Sequence, residues 1–206
     1  MKISCIIVAG GSSRRIGRDK KFVKLRGKYF LEYAVDTAKQ LSEDIVISVG
    51  SEGQKKQVQK ITNLKIVVDS IESKGPVIGL WQGLKECTHE YAVVLPCDTP
   101  IMQPGVFKHM IKECPGYDAV IPKKGELLEP LHAVYKVSSM LKACEKALKE
   151  NQLNLGRVVS KLKVKYIPTE VFEKYDRNLL TFHNINTRKD LKALSNCVSK
   201  SVRLAH

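Results

Sequence analysis

The stretch Ile3–Phe22, ISCIIVAGGSSRRIGRDKKF, decides the reading of the fold. Its first part, Ile3–Val8, is a mostly apolar run, too short for a helix and suited to a strand buried on both faces. The run stops at Ala9-Gly10-Gly11, where adjacent glycines permit a sharp turn and let the backbone come close to a ligand. Beyond it, Ser12 and Ser13 offer amides and hydroxyls that can point at phosphate oxygens, and Arg15 and Lys20 offer fixed positive charge. Two readings compete: a tight turn into a solvated basic loop, or a seat for a polyphosphate. The density of cations favours the second. The next glycine is Gly17 and no GxxxxGK[ST] occurs, so neither the dinucleotide fingerprint nor the P-loop is present.

Further short β-rich runs follow at Asp44–Val49, Leu64–Val68, Tyr91–Leu95 and Ala119–Ile121. Helical patterns at Phe30–Leu41, Pro76–Glu86 and Pro104–Glu113 lie between most of them. This alternation predicts an α/β fold with a mostly parallel sheet and helices on both faces. After residue 125 the pattern predicts a strand at Leu131–Val137, a helix at Ser138–Lys149, a short helix near Leu155–Leu162, a strand at Val164–Ile167 and a closing helix from Thr187. A length of 206 residues with no linker or repeat predicts one domain, 1–206. In open sheets of this kind ligands bind beyond the carboxyl ends of the strands, where the glycine turn, Asp69 and Pro-Cys-Asp-Thr-Pro (Pro96–Pro100) all fall.

The formal charge of +14 admits nucleic acid, an anionic membrane surface or a polyanionic small molecule as partner. Half of that excess sits between Arg14 and Lys28, beside the glycine turn; the rest is spread over helix faces such as Lys142–Lys149. No apolar run nears the roughly 18 residues of a membrane span, and Ile3–Ala9 is too short for a signal peptide. The six cysteines form no CxxC, which predicts reduced thiols and a cytoplasmic protein.

Asp98 follows the hydrophobic run Tyr91–Leu95 and reads either as the cap of the next helix or as the holder of a hard divalent cation bridging phosphates. Gly75-Pro76 is routine punctuation at a helix start; alternatively, Gly75 and Gly79 let that helix pack close to a nucleotide sugar. Asn184 and Asn186 occupy alternate positions, so an extended backbone points both side chains the same way, toward a polar heterocycle or into a turn and helix cap. Ile78, Trp81 and Leu84 read as helix core, and His132 as a satisfied core histidine.

Taken in order and spacing, "VAGGSSRRIGRDK", "GPVIGL", "LPCDTP", "EPLHAVY" and "NINTRKDL" resemble the molybdenum cofactor guanylyltransferase family of nucleotidyltransferases, over about residues 3–195. The first motif is shared with many sugar-phosphate nucleotidyltransferases; the last, with "PCDTP", points to the molybdopterin branch. The resemblance implies a single-domain Rossmann-like three-layer sandwich and the Mg²⁺-dependent reaction of GTP with molybdopterin, or its molybdenum-loaded form, giving the guanine dinucleotide and pyrophosphate. It implies that Val8, Ala9, Gly10 and Gly11 line the guanine and phosphate seat, that Asp69 contacts the guanosine, and that Lys20 and Arg15 hold phosphates. Asp98 then binds Mg²⁺, and Asn184, Asn186 and Arg157 belong to the molybdopterin side. An accessory or acceptor protein of the molybdenum cofactor pathway is a further expected partner. Two positions depart from the pattern: Ile16 stands where methionine is usual, and Gly50 where relatives often place asparagine.

The competing accounts are a guanylyltransferase for adenosylcobinamide phosphate, a sugar-phosphate nucleotidyltransferase, and a basic nucleic-acid binder without chemistry. The last is disfavoured because no helix-turn-helix or aromatic-rich basic sheet is visible, so neither nucleic acid nor membrane is expected as partner.

Overall fold

The run after Lys2 forms strand β1 (Ser4–Val8), every residue of which is buried. The computed structural model describes residues 1–10, 19–69, 75–187 and 189–195. Along the chain come a 3-10 turn (Lys20–Phe22), a small hairpin of β2 (Lys24–Leu25) and β3 (Lys28–Tyr29), α1 (Phe30–Lys39), β4 (Asp44–Val49), α2 (Glu52–Val58), β5 (Lys65–Val68) and α3 (Pro76–Lys85). Then follow β6 (Tyr91–Pro96), α4 (Pro104–Glu113), β7 (Ala119–Lys124), β8 (Leu127–Leu128), β9 (Ala133–Lys136), α5 (Val137–Lys149), α6 (Leu155–Val159) and β10 (Val164–Pro168). Residues 189–195 are helical, within the closing helix expected from Thr187.

The sheet runs β10-β7-β9-β6-β1-β4-β5, with β8 paired to β7. Only β9 and β8 run against the rest, β9 wedged antiparallel between β6 and β7. Helices cover both faces, as the alternation predicts. Cys5 and Ile7 of β1, with Val93 and Leu95 of β6, face α1 and α4, while Ile6, Val8, Ala92 and Val94 face α3 and α5. Each strand therefore supplies two cores, which is why these runs read as continuously apolar rather than alternating.

Chain order turns outward in both directions from β1, toward β4 and β5 on one side and β6 on the other, making a switch point beside β1. Register then fixes which residues emerge there. Val8 pairs with both Ser48 and Pro96, and Val49 pairs with Val68, so Gly10, Gly50, Asp69 and Asp98 leave the sheet along one edge.

A third core lies outside the sheet. Val23, Leu25 and Phe30 of the hairpin region pack with Ile185 and Leu194 from the end of the chain. This brings the Asn184–Asn186 segment against the Lys20 turn. The hairpin reverses through Arg26 and Gly27, both left-handed (φ 51° and 83°), as a type I′ turn requires.

Trp81, expected in the core, is only partly buried; it packs against the second core and carries the Lys85 ammonium 3.9 Å from its ring centroid. Cys5, Cys87, Cys97, Cys114 and Cys144 are free thiols, and burial pushes Cys5 up to about 12. Among the described residues no helix is long and apolar enough to cross a membrane.

Candidate active site

The first part of the site is built where β1, β4 and β5 end. Ala9 N donates to Ser48 O (2.8 Å) and Asp69 N to Val49 O (2.8 Å), which extends the two ladders by a residue and presents Asp69 at the rim. Ser48, fully buried on the α3 side of β4, donates its hydroxyl to Asp69 Oδ1 (3.1 Å). A Cβ on Gly10 would stand 3.1 Å from Asp69 Oδ2, and one on Gly79 would stand 2.5 Å from Ser48 Oγ. Both glycines are thus close-approach positions: Gly10 leaves the rim bare beneath Asp69, and Gly79 lets α3 settle onto the Ser48–Asp69 pair. Gly75, at φ 103°, begins α3 in a left-handed conformation that side chains resist, and Pro76 takes the first helical position. Burial pushes the Asp69 carboxyl above its ordinary range, against the opposing pull of the Ser48 hydroxyl and the nearby Lys21 ammonium.

The second part is organised by the two lysines of the 3-10 turn, which point in different directions. Lys21 is buried, 1% exposed, and its ammonium lies 2.5 Å from Asp19 Oδ2. Asp19 also accepts from Gln54 Nε2 (2.7 Å), and Gln54 Oε1 in turn accepts from Gly50 N (2.8 Å). This chain fastens the turn to the end of β4. Lys20 faces the cleft instead, with its ammonium 2.9 Å from Asp98 Oδ2 and 2.6 Å from Asn186 Oδ1. Asp98 does not cap the next helix: α4 starts at Pro104, with Gln103, five residues after Asp98, at its cap. The structural reading of Asp98 therefore fails, and its carboxylate faces the crevice.

The third part comes from the end of the chain. Ile185 N donates to Asp98 O (2.9 Å) while its side chain is fully buried in the third core. Ile185 is turned inward, and the asparagines on either side of it take different partners. Asn186 meets Lys20; Asn184 Oδ1 accepts from Thr99 Oγ1 (2.9 Å). Behind Thr99 lies His132, core-buried as expected, with Nε2 3.2 Å from Thr99 Oγ1. Arg157 is exposed on α6, and among the described residues it is not part of the Lys20–Asp98–Asn186 cluster.

The structure thus gathers Gly10 with Asp69, and Lys20 with Asp98 and Asn186; Val8, the last residue of β1, and Ala9, which follows it, are buried. Gly11, Ser12, Ser13 and Arg15 lie outside the described residues. Sequence reasoning missed Ser48, Lys21, Gln54 and Thr99. A polar residue inside the apolar run Asp44–Val49 was the available signal for Ser48.

Among the described residues no cluster of three or more His, Cys, Asp or Glu side chains forms a metal cage. The Asp98 carboxylate is 29% exposed and meets the Lys20 ammonium. That donor set fits Mg²⁺, which is commonly held by one or two carboxylates together with phosphate oxygens of the substrate and water.

Residues 5–164 match the MobA-like NTP transferase domain. The chain is similar to the molybdenum cofactor guanylyltransferase of Desulfosudis oleivorans, 33% identical with 92% of this chain and 93% of that protein covered. It is also similar to the probable molybdenum cofactor guanylyltransferase of Natranaerobius thermophilus, 30% identical over 97% of this chain and 98% of the relative. In three dimensions it resembles the crystal structure of molybdopterin-guanine dinucleotide biosynthesis protein A from Archaeoglobus fulgidus, with a TM-score of 0.85, 30% identity, and 96% and 100% of the two chains covered.

Proposed function

Since the chain belongs to the MobA-like NTP transferase family, we propose that it transfers GMP from GTP to the terminal phosphate of molybdopterin, forming molybdopterin guanine dinucleotide and pyrophosphate, as a single nucleotidyltransferase domain in the cytoplasm. One observation carries the reading: Lys20 bridges Asp98 on one wall of the crevice and Asn186 on the other. A cation at that junction stands where two polyanionic substrates must meet.

The reaction is an in-line displacement. A molybdopterin phosphate oxygen forms a bond to the α-phosphorus of GTP as the bond from that phosphorus to the β-phosphate oxygen breaks, and the electron pair leaves with pyrophosphate. No protein nucleophile is required, because a phosphate monoester is already anionic near neutral pH. The task is to align two repelling anions and to neutralise charge as it moves. Lys20 supplies fixed charge at the junction, and Arg15 would add to it. Asp69, backed by Ser48 and bared by Gly10 and Gly79, receives the guanosine, with Gly75 at the start of α3 beside it. The amides of Gly10 to Ser13 cradle the phosphates. Asn184 and Asn186 receive the acceptor, with Arg157 as an outlying contact to its phosphate. Asp98 would hold Mg²⁺, which when bound supplies charge neutralisation to the phosphates.

The test is pyrophosphate release with GTP, CTP or ATP, with Mg²⁺, and with molybdopterin or a sugar phosphate as acceptor. GTP with molybdopterin is expected to be the productive pair; preferential release with a sugar phosphate overturns the reading. Lys20→Ala and Asp98→Ala are each expected to lower turnover by about 10² to 10³-fold, the usual effect of removing a group that stabilises developing charge. Their ion pair, with side chains 19% and 29% exposed, contributes about 1 kcal/mol, so melting temperatures change little. Near-normal rates in both variants sink the assignment.

A further inference from the structure

We infer that His132 and Thr99 form a buried hydrogen-bonded pair that orients the Asn184 carboxamide, turning its NH₂ edge toward the phosphate of the acceptor. The inference rests on the proposed acceptor side of the crevice, and it adds positioning residues, of which the sequence offered only His132, as core.

Glu129, 20% exposed on its side chain, stands beside the pair with Oε2 3.4 Å from His132 Nδ1 but is not hydrogen-bonded to it. His132 and Thr99 are each 1% exposed, and the imidazole is wedged edge-on against Phe182, 5.6 Å between ring centroids. Burying a hydroxyl and an imidazole costs stability unless they are hydrogen-bonded, so a core built only for packing has no use for this pair. Here they bond each other and end on a side chain at the crevice. Nδ1 has no hydrogen-bond partner, and Nε2, 3.2 Å from Thr99 Oγ1, is the nitrogen that is satisfied.

Polarity follows from the inventory of hydrogens. A threonine hydroxyl has one hydrogen, and Thr99 gives it to Asn184 Oδ1. Its oxygen is left to accept, so the hydrogen on the His132 side sits on Nε2. With Oδ1 held, the two N–H groups of Asn184 are the edge left for the crevice. A phosphate has only acceptors to offer at this edge. The opposite orientation would present a carbonyl oxygen to it and repel it, so the pair decides between attraction and repulsion at one atom. Thr99 directly follows Asp98, so the same short segment of chain ties the phosphate side of the site to the orientation of the acceptor side.

Two measurements on the full chain test this. In steady-state kinetics Thr99→Val and His132→Leu are expected to raise the KM for molybdopterin about tenfold, the effect of about 1.4 kcal/mol, while the KM for GTP holds. Thr99→Ser, which returns the hydroxyl, and His132→Gln, whose amide N–H can stand in for Nε2–H, restore it. Equal losses for both substrates with no rescue, or wild-type kinetics in Thr99→Val, overturn the inference. In ¹⁵N NMR, independent of turnover, Nε2 of His132 is expected to be protonated, and the Asn184 side-chain amide signals to shift in Thr99→Val and return in Thr99→Ser. An unprotonated Nε2, or Asn184 signals indifferent to Thr99, overturns it equally. If wild-type protein shows no transfer to molybdopterin, the proposed function fails while the NMR measurement still decides the inference.

Discussion

Gly79→Ala isolates the close approach on which the nucleotide side depends. The added methyl would lie 2.5 Å from Ser48 Oγ, 3.4 Å from Asp69 Oδ1 and 3.6 Å from Ser48 Cβ. The last two are ordinary contacts; only the first cannot stand. Either α3 withdraws by roughly 1 Å, an overpacking response, or Ser48 rotates and gives up Asp69. The second route costs about 1.5–3 kcal/mol, the range for a hydrogen bond to a charged group. Against it stands the gain of about 1 kcal/mol from replacing glycine by alanine inside a helix. The net is a loss of about 0.5–2 kcal/mol, or roughly 1–8 °C in melting temperature at this chain length.

Ser48→Ala removes the colliding oxygen. In that background Gly79→Ala should show only the helix gain and stabilise by about 1 kcal/mol. The effect of one substitution therefore changes sign with the other, and a double-mutant cycle read by thermal melting should give a coupling of about 1.5–3 kcal/mol. GTP affinity, measured by calorimetry, should fall in all three variants because each disturbs the Ser48–Asp69 pair. Additive melting temperatures, or full GTP affinity in Gly79→Ala, would refute the claim that this glycine serves close approach.

Two further outcomes follow from the same geometry. Burial raises the Asp69 carboxyl above its unfolded value of 3.8, so the folded protein keeps that proton to higher pH and ionisation weakens the fold as pH rises through that window. Asp69→Asn should then melt higher than wild type at pH 7, lose that advantage below pH 3.8 where both states are protonated, and bind GTP more weakly; an unchanged or lower melting temperature at pH 7 contradicts this. Ile185 is fully buried against Val23, Leu25 and Phe30. Ile185→Ala should cost about 2–5 kcal/mol in denaturant unfolding and raise the KM for molybdopterin more than that for GTP, since Asn184 and Asn186 flank it. An acceptor KM equal to that of wild type would show that the tail does not set the position of these asparagines.

What could be read from the sequence, and what could not, divides along a physical line. Strands buried on both faces advertise themselves, so β1, β4 and β6 were legible, and their register alone carries Gly10 and Asp98 to one edge. The polar helix α2 was not, because only Val58 of its seven residues is buried and no apolar period marks it. Nor was the small hairpin, whose Arg26-Gly27 turn lacks the usual Asn or Asp. The lysines show the limit most clearly. Lys20 and Lys21 are indistinguishable by type and spacing, yet the 3-10 turn sends one to Asp98 and buries the other against Asp19. Counting charge could locate the basic loop but could not say which ammonium meets the crevice. That choice depends on distant residues that only the folded chain brings near: Asp98 and Asn186 meet Lys20, and Gln54 holds the Asp19 that takes Lys21. Glycine and serine behave in the same way: Gly79 is punctuation by itself, and it acquires a function only opposite Ser48, on a strand thirty-one residues earlier. A site of this kind is specified by pairs of residues, so a sequence read one motif at a time yields its members before it yields their roles.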